Sequence, residues 1–131
     1  MQTVAAIEIP HLVIVRYFET LNSGEFEETS QLFAIDGAMQ PPFESQIVGR
    51  DAIAAYLRKE AQSLKLFPQR YSSKLLDNGC TEVQAIGRVE TSVFSVNVQW
   101  QFILSPNQEL FLAKIKLLAS LEELLHLRQL N

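Results

Sequence analysis

Trp100 is the only tryptophan in the chain, and it stands in the middle of Val96–Leu104. In that stretch Val96, Val98, Trp100, Phe102 and Leu104 alternate with Asn97, Gln99 and Gln101. A two-residue period with one apolar face predicts a half-buried strand with the indole at the centre of its buried side. An indole offers one N–H donor and no acceptor, and that donor wants a partner once it leaves water. Trp100 is therefore either core filler or one wall of a ligand site. Tyr17 brings a second buried-type donor, on a helical stripe with Val13, Ile14, Phe18 and Leu21. Acid–base chemistry finds little to use. Glu82, Glu90 and Glu109 look outward by strand parity, Asp36 falls in an expected turn, and His11 and His126 form no dyad. No metal site is expected. Cys80 is the single cysteine, so it is a free thiol or makes an intermolecular bond, and its place after a tight turn predicts exposure.

The elements that would position these groups follow from periodicity and turn chemistry. Residues 1–8 read as loosely ordered, and Pro10 suits the first turn of a helix that Asn22-Ser23-Gly24 ends. A short second helix is predicted from Glu25 to Phe33, then a turn at Asp36-Gly37 and a short strand at Ala38–Gln40, stopped by Pro41-Pro42. Phe43–Val48 reads as a loop or short strand. A third helix spans Ala52–Ser63, with Ile53, Tyr56, Leu57 and Ala61 inward and Arg58, Lys59 and Glu60 outward. The period then becomes two. Strands are predicted at Leu64–Leu75, Thr81–Thr91, Ser95–Leu104 and Glu109–Leu118, with turns at Asp77-Asn78-Gly79, near Ser92 and at Ser105-Pro106-Asn107. Ser120-Leu121-Glu122-Glu123 has the pattern of a capping box and opens a short C-terminal helix. Helices followed by antiparallel strands predict an α+β domain, with helices on one face of a curved sheet. A strongly bent sheet closed by helices leaves a conical cavity, and both Tyr17 and Trp100 would line it.

Composition narrows the classes. The 131 residues are 47% hydrophobic and 20% charged, as expected of a globular chain. No repeat or long linker divides them, so one domain over residues 1–131 is expected. Fifteen acidic against eleven basic side chains leave a net charge of −4, without the basic excess a nucleic-acid partner requires. There is no apolar run near the roughly 20 residues of a membrane span, and no signal-peptide pattern, so a cytoplasmic location is expected.

Three stretches carry a resemblance. They are YFETLNSGEFEETSQLFAIDGAMQPPFESQIVGRDAIAAYLRKEAQSLKL from Tyr17 to Leu66, then AIGRVETSVF, then WQFILSPNQELFLAKIKLLASLEELL. Together they cover nearly the whole chain and resemble the C-terminal domain of the cyanobacterial orange carotenoid proteins, in the form of its standalone homologues. That domain belongs to the cone-shaped α+β folds of the nuclear transport factor 2-like superfamily. The resemblance implies a ketocarotenoid of the canthaxanthin or echinenone type, its ring ketone bonded by Tyr17 in YFETLN and Trp100 in WQF. It implies carotenoid transfer to or from helical carotenoid proteins, uptake from membranes, and photoprotection by singlet-oxygen quenching. Glu60 matches a glutamate that pairs with an arginine of the missing helical domain, so it would serve a separate partner. The resemblance also makes Cys80 the candidate for a disulfide-linked dimer. Two positions depart from the family. Val93, in TSVF, replaces the tryptophan of TPWF, and Lys116 replaces an aspartate before LLAS.

A chain of this length has a radius of gyration of about 14 Å, too small to enclose a long polyene. A homodimer with two cavities facing each other over one pigment is therefore expected, and a diketone suits that symmetry. Two other functions remain. One is an enzyme of the ketosteroid isomerase or dehydratase type, which would need a cavity carboxylate. The other is a ligand-free dimerisation module, which would need a filled interior around Trp100.

Overall fold

The computed structural model describes residues 11–118. Three helices, α1 (Leu12–Asn22), α2 (Phe26–Gln31) and α3 (Arg50–Glu60), accompany six strands. These are β1 (Phe33–Gln40), β2 (Ile47–Val48), β3 (Lys65–Leu75), β4 (Thr81–Glu90), β5 (Ser95–Leu104) and β6 (Leu110–Leu118). They form one sheet in the order β2-β1-β6-β5-β4-β3. Every neighbouring pair is antiparallel except β1 with β6. The predicted C-terminal helix from Ser120, with His126, lies outside the described residues, as do residues 1–8 and Pro10.

Strand register puts one apolar face together. Val83, Ala85, Gly87 and Val89 of β4 stand opposite Phe102, Trp100, Val98 and Val96 of β5. Trp100 and Val98 in turn oppose Ile115 and Leu117 of β6. The helices close this face with their own stripes. From α1 come Val13, Ile14, Tyr17, Phe18 and Leu21, and from α3 Ile53, Ala54 and Leu57, all buried. Burial of these side chains, at about 25 cal/mol per Å² of apolar surface, is the main force holding helix to sheet.

The region around β1 corrects two sequence expectations. α2 stops at Gln31, and Phe33 starts β1 rather than ending the helix. Asp36-Gly37 is not a turn but part of that strand, where the β1–β6 register shifts between Phe33 and Ala38. Gly37 is required there because a Cβ would stand 2.5 Å from the Leu110 carbonyl oxygen. Tertiary pairing with β6, distant in sequence, overrides the local turn signal. A second irregularity falls in β3, between Pro68 and Arg70, opposite Gly87. A Cβ on Gly87 would lie 2.2 Å from the Phe67 carbonyl oxygen, so β3 presses onto β4 at this point. Such bulges raise local twist and help bend the sheet around the helices.

Polar side chains pin the helices to the strand ends. The Asn22 amide donates to the Leu66 carbonyl at 2.9 Å and accepts the Leu66 N–H at 2.8 Å, replacing a strand partner for β3. Arg50 donates to the Phe33 carbonyl at 2.8 Å and meets Glu109 at 3.6 Å, which joins the start of α3 to β1 and β6. Thr20 and Thr29 are buried between α1 and α2 with their hydroxyls 2.7 Å apart.

Candidate functional site

The bent sheet and the helices enclose an apolar cavity of about 150 Å³. Its buried walls include Tyr17 and Leu21 from α1, Leu57 from α3, Met39 from β1, Leu66 from β3, and Val98 and Trp100 from β5. Half-exposed Pro42, Tyr56, Leu64, Val89, Val96 and Ile115 continue the walls outward, and the exposed Glu60 and Leu117 stand with them. An apolar space of this volume is about the size that takes one six-membered ring.

Tyr17 and Trp100, distant in sequence, both line this one cavity. Each is 1% exposed. Among the described residues, neither the Tyr17 hydroxyl nor the Trp100 indole N–H has a hydrogen-bond partner. Buried donors are usually paired, so two orphans in one apolar space mark a place where an acceptor belongs. Both rings are oriented by an aromatic cluster behind them. Phe18 meets Tyr17 at 5.3 Å and Trp100 at 4.8 Å between ring centroids, both edge to face. Phe102 meets Tyr17 at 4.9 Å and Phe18 at 5.9 Å in the same manner. These contacts add about 0.5–1.5 kcal/mol each beyond burial and hold the donor rings in defined planes.

Burial, with a smaller contribution from the charge of Tyr56, pushes the Tyr17 hydroxyl well above the ordinary phenol range. Tyr56, pushed up to about 12, is raised first by burial and then by Glu44 and Glu60. Both shifts act on stability with one sign. The unfolded chain loses these phenol protons from pH 10 upward, while the folded chain keeps them. Stability is therefore intact below pH 10 and falls as pH rises beyond it, by about 1.4 kcal/mol per pH unit for the buried Tyr17. Thermal melts between pH 9 and about 12 should steepen above the ordinary phenol pKa. Tyr17→Phe should flatten that fall, and equal slopes in the two proteins would refute the assignment.

The remaining expected site residues lie elsewhere. Glu60 is exposed at the cavity rim, without a cation partner among the described residues. Cys80 corrects the expectation of exposure, for it is 6% exposed. It closes the turn after β3, where its N–H donates to the Asn78 side chain at 3.0 Å and its carbonyl accepts the Leu76 N–H at 2.8 Å. Buried in this way, the thiol reaches a second chain only if its surroundings open. Val93 is exposed in the turn between β4 and β5, next to the cavity strands but not in the cavity wall. Glu82 and Glu90 face away from the cavity. Glu82 accepts from Gln101 at 2.7 Å, and Glu90 pairs with Arg88 at 2.9 Å. Asp36, expected in a turn, is exposed within β1.

Sequence periodicity did not single out Tyr56, Met39, Ile115 or the Pro41-Pro42 pair as cavity residues. The Ile53–Tyr56–Leu57 spacing marks Tyr56 as inward, but which end of the sheet it meets depends on how α3 docks.

Residues 13–114 match the nuclear transport factor 2 (NTF2) domain family. The orange carotenoid-binding protein of Limnospira maxima is 38% identical over 123 residues, 91% of this chain and 39% of that protein. That of Synechocystis sp. is 36% identical over 130 residues, 95% of this chain and 41% of that protein. The orange carotenoid protein of Anabaena (Nostoc) sp., in a structure binding canthaxanthin, superposes with a TM-score of 0.82 at 39% identity. That match covers 90% of this chain and 39% of the other. The chain thus spans about two fifths of the length of the curated relatives it matches.

Proposed function

Because the chain belongs to the nuclear transport factor 2 domain family, as a homologue of the C-terminal domain of orange carotenoid-binding proteins, we propose that it is a ketocarotenoid carrier. The observation that carries this reading is the pair of unpartnered ring donors, Tyr17 and Trp100, in one apolar cavity sized for a single ring.

The residues suit such a ligand. Leu21, Leu57, Leu66 and Val98 wrap the apolar ring, and its burial supplies most of the affinity. The Tyr17 hydroxyl and the Trp100 N–H donate to the ring ketone. Two such bonds add only about 0.5–1.5 kcal/mol each, so they choose the ligand more than they hold it. The half-exposed apolar rim at Pro42, Leu64, Val96 and Leu117 receives the start of the polyene. The remainder lies beyond the mouth, and a second copy of the chain facing the first covers it and takes the other ring. This arrangement favours a diketone of the canthaxanthin type over a monoketone such as echinenone.

The bound polyene supplies visible absorption and singlet-oxygen quenching, while the protein supplies solubility and ring geometry. The carrier acts as a non-enzymatic binder in the cytoplasm, takes pigment from membranes, and exchanges it with helical carotenoid proteins. The exposed Glu60 at the rim offers a carboxylate to a cation of such a partner. Among the described residues no helix is long and apolar enough to cross a membrane. Among the described residues Glu60, on the rim, is the only carboxylate in the cavity lining, which weighs against the enzyme reading. The open space beside Trp100 likewise weighs against a ligand-free module.

The test is to purify the protein from canthaxanthin-producing cells and record its visible spectrum and native mass. The expected result is a red-shifted band on a species of two chains and one pigment. In Trp100→Phe and in Tyr17→Phe the band moves toward the blue. A protein that stays colourless after incubation with pigment-loaded membranes would overturn the proposal.

A further inference from the structure

We infer that Tyr56 is a hydrogen-bond acceptor for the ring held in this cavity, and that it selects a ring carrying a hydroxyl group beside its ketone over a ring carrying the ketone alone. The inference rests on the reading of the cavity as a ketocarotenoid site.

Among the described residues, three side chains with polar-tipped rings line the cavity: Tyr17, Trp100 and Tyr56. Trp100 can only donate. Tyr17 is fully buried, and its hydrogen is uncommitted among the described residues. Tyr56 differs, because its hydroxyl donates to the Glu44 carboxylate at 3.4 Å. With its hydrogen turned toward Glu44, the Tyr56 oxygen keeps its lone pairs available to accept from a ligand hydroxyl. Donation toward an anion strengthens those lone pairs further.

Glu44 is held for this task. Its N–H donates to the Pro41 carbonyl at 3.3 Å, and its own carbonyl accepts the Gln40 side chain at 3.2 Å. The turn includes Phe43 at a φ of 64°, a conformation unfavourable for an aromatic residue, with the ring 94% exposed. Pro41 and Pro42 of the same turn form part of the cavity wall. The turn thus places a carboxylate on the outer side of Tyr56 while its prolines face the ligand space. The phenols of Tyr17 and Tyr56 also lie within electrostatic reach, since the charge of one raises the proton affinity of the other.

A ring with a ketone and a neighbouring hydroxyl presents an acceptor and a donor side by side. The cavity presents donors on its buried floor and an acceptor on its half-exposed helical side. The hydroxylated ring satisfies both. In a wholly apolar wall its hydroxyl would be buried without a partner and the ring would be rejected.

The experiment offers limiting apo protein an equimolar micellar mixture of canthaxanthin and astaxanthin, which carries a hydroxyl beside each ketone. The bound pigments are extracted and their ratio is read by chromatography. The wild type should enrich astaxanthin about 3–10-fold, the yield of one hydrogen bond. Tyr56→Phe should bring the ratio to about 1, and Glu44→Gln, an exposed substitution that leaves a weaker orienting group, should give a value between the two. A wild-type ratio near 1, or enrichment that survives in Tyr56→Phe, overturns the inference and leaves the carrier reading standing. If Tyr56→Phe does not fold, full wild-type enrichment in Glu44→Gln overturns it alone. Uptake of neither pigment by the wild type overturns the carrier reading and this inference together.

Discussion

Phe102→Ala is expected to lower the stability of the fold by about 3–5 kcal/mol, the usual cost of removing a fully buried aromatic ring. For a chain of this size that is a fall of roughly 10–20 °C in melting temperature. The Phe102 ring has no exposed surface and meets both Tyr17 and Phe18 edge to face. Its removal opens a void directly behind the Tyr17 donor. The neighbours cannot collapse into it freely, because Ala113 and Val83 on the flanking strands are small and held in register opposite Phe102. The loss should therefore appear twice, in the thermal melt followed by circular dichroism and in weaker pigment loading of the protein that remains folded. Leu75→Ala, at an exposed site on β3, should stay within about 0.5 kcal/mol of the wild type. A Phe102→Ala melt within a few degrees of the wild type would mean that the aromatic cluster is not what supports the two donors.

The double variant Tyr17→Phe, Trp100→Phe should abolish the preference for carotenoids that carry a ring ketone. In the wild type, a hydrocarbon carotenoid would leave both donors buried and unpaired, at about 1–3 kcal/mol each. Together these penalties give a discrimination of at least about thirtyfold for canthaxanthin over the hydrocarbon. The double variant retains apolar walls and leaves no buried donor to penalise the hydrocarbon, so it should bind the two pigments within about threefold of each other. Each single variant should retain part of the selectivity, with the larger loss in whichever donor aligns better with the ketone oxygen. The measurement is competition for limiting apo protein, followed by extraction and chromatography. Full selectivity in the double variant would show that the donors contact something other than the ring ketone and would remove them from the site.

Much of the architecture was legible in residue order. The period-two runs of β3 to β6, the turn at Asp77-Asn78-Gly79 and the stripe on α1 are local patterns, and each reappears in the structure within a few residues. Binary patterning specifies which face of an element is apolar, and that suffices to place Tyr17 and Trp100 on inward faces. The family resemblance then selected these two from the many inward aromatic and aliphatic side chains.

What periodicity could not supply were the relations between elements far apart in the chain. Asp36-Gly37 has the composition of a turn, but pairing of β1 with β6 draws it into a strand, because a ladder of backbone hydrogen bonds outweighs a weak local preference. Cys80 follows a tight turn and by that sign belongs outside, yet it is buried, and burial is set by tertiary packing that a turn signal does not encode. Tyr56 has the spacing of an inward helix residue, yet only the docking of α3 against the Pro41–Glu44 turn brings Glu44 to its hydroxyl. The sequence by itself therefore determined most of the elements and the inward faces on which Tyr17 and Trp100 stand. The tertiary structure alone decided the parallel β1–β6 pairing, the volume and mouth of the cavity, and the Tyr56–Glu44 pair at its rim. The physical reason is the same in each case. Side-chain period is a property of neighbours along the chain, whereas a cavity is the space left between elements whose separation no local pattern encodes.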